Sequence, residues 1–307
     1  MKFMKKSILA SVAVTLSCTC LPVHAIETNV IDEKWGKPTV VYGAGLNANQ
    51  IQATAELFNI TNSEYVNELI VDAYDVNTYL GYSLSSGSSL ISSVMVQKTD
   101  KSGVVVNILT PENITKITEE QYANAAITAG VTNCEIDVAS IMSVTGESAL
   151  TGVYKAFEAN GEVLDPERTE VAQDELQITN EIAQENEGQE NFDSNVLDQT
   201  MLEIKQELAN QKQKNGALSQ EDIQNIVNEI IQKYKLNEIL TEENINAIIE
   251  FAKKYANTSA IDSQDVLNQL NSLAKSFSKN FGDLLKQAQD SGLLDRIIQW
   301  FKDLFNL

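Results

Sequence analysis

The apolar residues of this 307-residue chain change their spacing near residue 160, and that change limits the folds open to it. Before it, short β-branched runs such as "TVVYGAG" (39–45) and "SGVVVNILT" (102–110) alternate with glycine turns and short helical stretches. After it, apolar residues recur every three or four positions as far as residue 285. Runs of the first kind make strands, and stripes of the second kind make helices that bury their apolar side on one another. The expected class is α+β: an N-terminal α/β domain with duplicated β-α-β elements and a hairpin, followed by a C-terminal antiparallel helical bundle.

In the first part, "TVVYGAG" reads as a strand, Asn47 caps the helix "ANQIQATAELF", and "NELIVDAY" returns as a strand. The order recurs further on. Thr118 and Gln121 form a capping box opening "EEQYANAAITAG", in which Tyr122, Ala125, Ala126 and Ala129 share a face. Gly130 ends that helix and "CEIDVASI" is the next strand, with Cys134 read as a buried, inert thiol. Between the two units, Asp100-Lys101-Ser102-Gly103 is a hairpin signal separating "SSLISSVMVQKT" from "SGVVVNILT".

From Glu158 to Glu190 the chain carries eleven acids against Arg168 alone, with few large apolar residues, and is expected to be a solvated helix or linker. Helical stripes follow: Leu197, Met201, Ile204 and Leu208; then Ile223, Ile226, Val227, Ile230 and Ile231; then Ile245, Ile248, Ile249 and Ala252. Ser219 and Thr241 stand where caps belong. Val266, Leu267, Leu270 and Leu273 continue the pattern. At the terminus, Leu294, Ile297, Ile298, Phe301 and Phe305 form a broad aromatic stripe that closes the bundle, docks a partner or lies at a membrane interface. Asp295 and Asp303 balance Arg296 and Lys302, so the basic face that favours anionic lipid is missing and membrane contact is disfavoured. The expected division is 1–25 signal peptide, 26–160 α/β head, 161–192 acidic helical linker and 193–307 helical bundle.

The first residues carry secretory grammar: Lys2, Lys5 and Lys6, an apolar run too short to span a bilayer, and a small-residue end at Val23-His24-Ala25. Cleavage after Ala25 would remove His24, the single histidine, together with Cys18 and Cys20. Such a chain holds no Ser-His-Asp or Cys-His machinery, no His-ligated metal and no intramolecular disulfide. Losing three lysines from 22 bases leaves 19 against 43 acids, a net charge of −24. That surface repels phosphate backbones, so nucleic acid is excluded as a partner; solubility outside the cell accounts for the acidity.

"SVTGESALTG" (143–152) is the stretch most like a site, since Thr145, Gly146 and Ser148 precede a helix whose free N–H groups suit an anion. Ser and Thr are also ordinary caps and Gly an ordinary turn residue, while Glu147 repels an anion, so capping is the preferred reading. Asp193, Asn195 and Asp198 suit a cation, but the glycine and closing acid of a calcium loop are absent. "NITKITEEQYANAAITAGV", "CEIDVASIMSVTGESALTGVYKAFE" and "VVYGAGLNANQ" resemble the YpuA-like family of secreted Gram-positive proteins, over about Val40 to Glu158. The resemblance implies export and a two-part build, and implies no activity.

No catalytic residue, metal site or cofactor is assigned. The leading expectation is an exported, non-catalytic interaction or structural protein, whose partner is an envelope protein or wall component met by the terminal helix. The alternative is a carboxylate-dependent hydrolase acting on cell-wall glycan, with two of the 43 acids facing each other in a cleft.

Overall fold

The structure, a computed structural model, describes residue 26, residues 35–80 and residues 90–287, with the backbone alone from 278 onward. The signal segment, the 294–305 stripe and all of its named residues lie outside the described residues. The described strands are β1 (Thr39–Gly43), β2 (Asn67–Val71), β3 (Ser93–Lys98), β4 (Val104–Ile108) and β5 (Cys134–Ala139). The helices of the N-terminal part are α1 (Ala48–Leu57), α2 (Ala73–Leu80), α3 (Glu119–Ala129) and α4 (Ser148–Ala159). Then come α5 (Pro166–Glu185), α6 (Ser194–Asn215), α7 (Gln220–Lys233), α8 (Glu242–Asn257) and α9 (Gln264–Gln287).

The five strands form one mixed sheet in the order β2-β1-β3-β5-β4. β1 and β2 run parallel through α1, and β4 and β5 run parallel through α3, as a parallel pair requires a crossover helix. The two β-α-β units therefore flank β3, which is antiparallel to both of its neighbours. Local chemistry sets the helix ends: Asn47 with Gln50 and Thr118 with Gln121 form complete capping boxes, and Gly130 closes α3 at a φ of 105°. Ser219 and Thr241 cap α7 and α8 in the same way.

The expected hairpin is corrected by the strand order. β3 and β4 are joined through residues 100–103 but do not pair, because β5 lies between them. β5 is buried on both faces, with Cys134, Ile136 and Val138 on one and Asp137 and Ala139 on the other, whereas Val105 of β4 is half exposed. β5, buried on both faces, takes an interior position between β3 and β4, and the half-exposed β4 takes the edge. A turn signal reports a local reversal only; it carries no trace of a later strand that competes for the same edge.

Side-chain alternation divides the sheet. Val41, Val94, Val106 and Ile136 belong to the large core shared with α3 and α4, while Val40, Tyr42 and Met95 belong to a smaller one with Phe58 and the α1 residues Ile51 and Ala55. The large core runs without a break from Val41 to Leu273, so the sheet and the helical part share one interior.

The acidic run was expected to be solvated, and the structure overturns this. α5 packs along α3 and also meets α2, α6 and α8. Nine of its 20 residues are buried, among them Thr169, Gln173, Glu175, Thr179 and Asn180. The acids Glu170, Glu181 and Glu185 fall on the exposed side, while the buried side sets Thr169, Gln173, Thr179 and Asn180 among Val171, Ala172, Leu176 and Ile182, with the Thr169 hydroxyl donating to the Tyr79 carbonyl at 2.8 Å. Counting large apolar residues misses such a face. Arg168, the run's single base, closes the C-terminal end of α3 by donating from Nε to the Thr128 carbonyl at 2.9 Å and from Nη2 to that of Ile127 at 3.3 Å.

Gly43 shows how tightly the sheet is closed at its top. A Cβ there would stand 2.2 Å from the Leu90 carbonyl oxygen, and that backbone is itself held by Gly45, whose N–H donates to Leu90 at 2.8 Å. Gly43→Ala is therefore expected to cost about 2 kcal/mol or more, read as a lowered denaturant midpoint with unchanged slope.

Candidate functional site

The "SVTGESALTG" segment is a corner whose parts are engaged with the core. Gly146 takes a φ of 97°, and a Cβ on it would stand 2.5 Å from the Tyr122 hydroxyl and 2.9 Å from Ile114. Its carbonyl accepts from Tyr122 Oη at 2.6 Å and from the Ala149 N–H at 3.0 Å. Ser148 Oγ lies 2.7 Å from Ser92 Oγ, tying the start of α4 to the entry of β3. The expected side-chain cap is corrected: the residue before α4 is Glu147 in helical conformation, and it makes no capping bond. Glu147 instead accepts from Asn180 of α5 at 3.4 Å and from the Thr145 hydroxyl at 3.4 Å. Positive φ and a close approach at Gly146 replace the cap, because the chain must turn directly over Tyr122.

Beside this corner lies an open groove of about 530 Å³ between residues 111–118, the start of α3 and residues 183–194. Ile114 and Ile117, which stand next to Gly146, line it; Thr145, Gly146 and Ser148 do not. Its rim carboxylates are engaged. Glu187 pairs with Lys116 at 3.5 Å, and Asp193 caps α6 by accepting from the Asn195 N–H at 2.9 Å. Asn195 Nδ2 also bonds Asp193, at 3.0 Å, whereas Asp198 turns away into the interior. The three residues singled out for a cation are thus split between a helix cap and the core. Among the described residues, no group of three or more His, Cys, Asp or Glu side chains is arranged to hold a metal ion.

Beneath the groove floor lies a buried polar network absent from the sequence reading. Thr118 donates its hydroxyl to Asp198 Oδ2 at 2.8 Å while accepting from the Gln121 N–H at 3.0 Å. Asn124 Nδ2 donates to the Asp198 carbonyl at 3.2 Å. Further along α3, Lys205 Nζ meets Glu175 at 2.6 Å and donates to the Asn124 carbonyl at 3.0 Å, and the Thr128 hydroxyl donates to Glu175 at 2.5 Å. Lys205 and Asp198 are fully buried. Burial pushes Asp198 up to about 8 against the opposing hydrogen bonds from Thr118 and Gln121, with the Glu120 charge adding to the rise. Burial lowers the Lys205 pKa, and Glu175 resists that fall.

The signal that could have found this network is a second stripe on α6. Asp198, Leu202, Lys205 and Ala209 recur at helical spacing beside Leu197, Met201, Ile204 and Leu208, and all eight are buried. Two further features bear on chemistry. Cys134 is buried, and burial pushes its thiol up, away from reactivity. Trp35 packs edge-on against Phe157 at 4.8 Å with Nε1 bonded to Glu162 at 2.9 Å, so this indole serves the core.

A second buried acid, Asp137, sits at mid-sheet on the α1 side. Its oxygens accept from Asn107 Nδ2 at 2.7 Å and from the Ile26 N–H at 2.9 Å. Burial raises it to about 6.

These features define an α+β protein in which a mixed sheet and a helical layer share one core, with ionisable groups held inside and an open groove at the junction. Residues 42–273 match a family described as proteins of unknown function (DUF1002), and the chain belongs to that family. The match begins in β1 and ends in α9, beyond the stretch on which the sequence resemblance rests. Over 171 residues the chain is 31% identical to the uncharacterized protein YpuA of Bacillus subtilis (strain 168), a match covering 54% of this chain and 58% of that protein. No solved structure matches the chain.

Two outcomes follow for the network. Removing the Lys205 side chain with Lys205→Ala strands a buried carboxylate and should cost about 3–5 kcal/mol in denaturant unfolding, whereas Lys205→Met with Glu175→Leu should cost far less. Asp198 has a folded pKa above its ordinary value, so its stability contribution is complete below the usual carboxylate range and is lost as pH rises toward about 8. Melting curves should therefore show Asp198→Asn gaining on the parent as pH rises from about 5 to about 8. A constant difference would contradict the assignment.

Proposed function

We propose that this protein is exported and serves outside the cytoplasm as a non-catalytic interaction or structural protein of the cell envelope or extracellular space. The observation that carries this reading is the position of its two strongly raised carboxyls. Asp137 is 0% exposed and Asp198 1%, and both are bonded to donors of the fold. A carboxylate catalyst needs its raised acid within reach of substrate; here the two most strongly raised acids face inward. The leader grammar of residues 1–25 supports export, and cleavage after Ala25 removes the only imidazole. No helix among the described residues is long and apolar enough to cross a membrane. The terminal stripe of Leu294, Ile297, Ile298, Phe301 and Phe305 is the proposed contact for an envelope protein or wall component.

A wall-glycan hydrolase is the second reading, because Glu187 and Asp193 both border the groove. Purified protein should co-sediment with cell envelopes, and replacing Ile298 and Phe301 together by Asp should weaken that binding about tenfold with an unchanged melting temperature. Unchanged binding would remove the docking role. Release of soluble sugar from wall material, abolished by Glu187→Gln or Asp193→Asn, would establish the hydrolase instead.

A further inference from the structure

We propose that cleavage between Ala25 and Ile26 creates a structural amino terminus: the freed α-ammonium of Ile26 becomes the buried counter-charge of Asp137. The proposal rests on the export reading for the cleavage and on the folded geometry for what the new terminus does. A processing endopeptidase adds water across the Ala25–Ile26 peptide bond; Ala25 leaves as a carboxylate and the Ile26 nitrogen, taking up a proton, becomes an ammonium.

Two separate observations meet at this bond. The small-residue end of the leader, Val23-His24-Ala25, stops at residue 25. At residue 26 the chain enters the interior: the Ile26 side chain is 5% exposed and belongs to the small core with Val40, Tyr42, Leu46 and Met95. Its nitrogen lies 2.9 Å from Asp137 Oδ2.

Asp137 stands in a cross-sheet row defined by the strand register, Glu68–Val40–Met95–Asp137–Asn107. Its second oxygen is taken by Asn107. The charged groups that act on it are negative, Glu135 on its own strand and Glu119 at the start of α3. Among the described residues no cation acts on this buried carboxylate, and the atom that already donates to it is the one that cleavage converts into a cation. An ammonium at that distance forms a charge-assisted bond stronger than the one from a peptide N–H. With a peptide nitrogen at 26, Asp137 is held at about 6, so its stability contribution is lost as pH rises to that value. With an ammonium there, the carboxyl is drawn down and the pair persists until the amine loses its proton near about 8.

The test compares two chains, one starting at Ile26, released from a fusion without added residues, and one retaining Val23-His24-Ala25. At pH 7 the Ile26 chain should melt higher by about 2–4 °C or more. The gap should narrow as pH falls and close only below the ordinary carboxylate value of about 3.9, where Asp137 is protonated in both. It should also vanish when both chains carry Asp137→Asn. Acylation of the native proteins provides a readout independent of that variant: the Ile26 amine should resist the reagent, and the Val23 amine should react at once. Equal melting temperatures, or a freely acylated Ile26 amine, would overturn the buried pair and leave export standing. Mass spectrometry of the exported protein should find Ile26 first; any other first residue overturns the cleavage assignment alone. An intact leader on a cytoplasmic chain would fail the export reading and the processing step together.

Discussion

The fold depends on burying α3 from two sides. Nine of its eleven residues are inside, because β4 lies on one flank and α5, α6 and α9 lie on the other. A helix covered all round cannot rely on one apolar stripe. Its outer side instead presents Thr118, Gln121, Asn124 and Thr128, which must find partners in the helical layer. Lys205 and Glu175 supply them at one end and Asp198 at the other. A buried ion pair is a poor source of net stability, but it penalises any docking that separates its members, so it sets the register between the sheet part and the helices.

The same arrangement explains why acidity and function are separable here. The surface acids give the chain its charge, whereas the two acids with the largest rise in pKa are inside, bonded to Thr118, Asn107 and Ile26. Interior position also accounts for the corner at Gly146, where Tyr122, Ile114 and Ser92 occupy the space a ligand would need. The groove beside that corner lies within the family-matched span, which runs from β1 through α9 and so takes in both the sheet and the helices that are joined by the buried network.

Local chemistry was legible in the sequence. Asn47 with Gln50, Thr118 with Gln121, Gly130, Ser219 and Thr241 terminate helices where the text of the chain says they should, because a cap involves residues within a few positions of one another. Both β-α-β units were legible for the same reason, as was the change to helical spacing. What was not legible depends on distant partners. The 100–103 turn reads as a hairpin until β5 arrives to separate β3 from β4. α5 reads as solvated because its inner face sets Thr, Gln, Asn and Glu175 among Val171, Leu176 and Ile182, polar residues whose burial is favourable only once distant segments supply partners, Thr128 for Glu175 and the Tyr79 carbonyl for Thr169.

The candidate sites divide along the same line. Periodicity and capping are short-range properties, so the order of elements, the helix ends and the inert character of Cys134 follow from composition and spacing. The identity of the buried charges does not. Asp137 looks like the solvent-side residue of an alternating strand, and Lys205 looks like a surface lysine one position beyond a stripe. Each is placed inside by chain more than seventy positions away, Ile26 for the first and Asn124 with Thr128 for the second. Whether a charged side chain is buried depends on the desolvation it suffers and the partners it meets, and both are fixed by packing between segments that no local reading brings together.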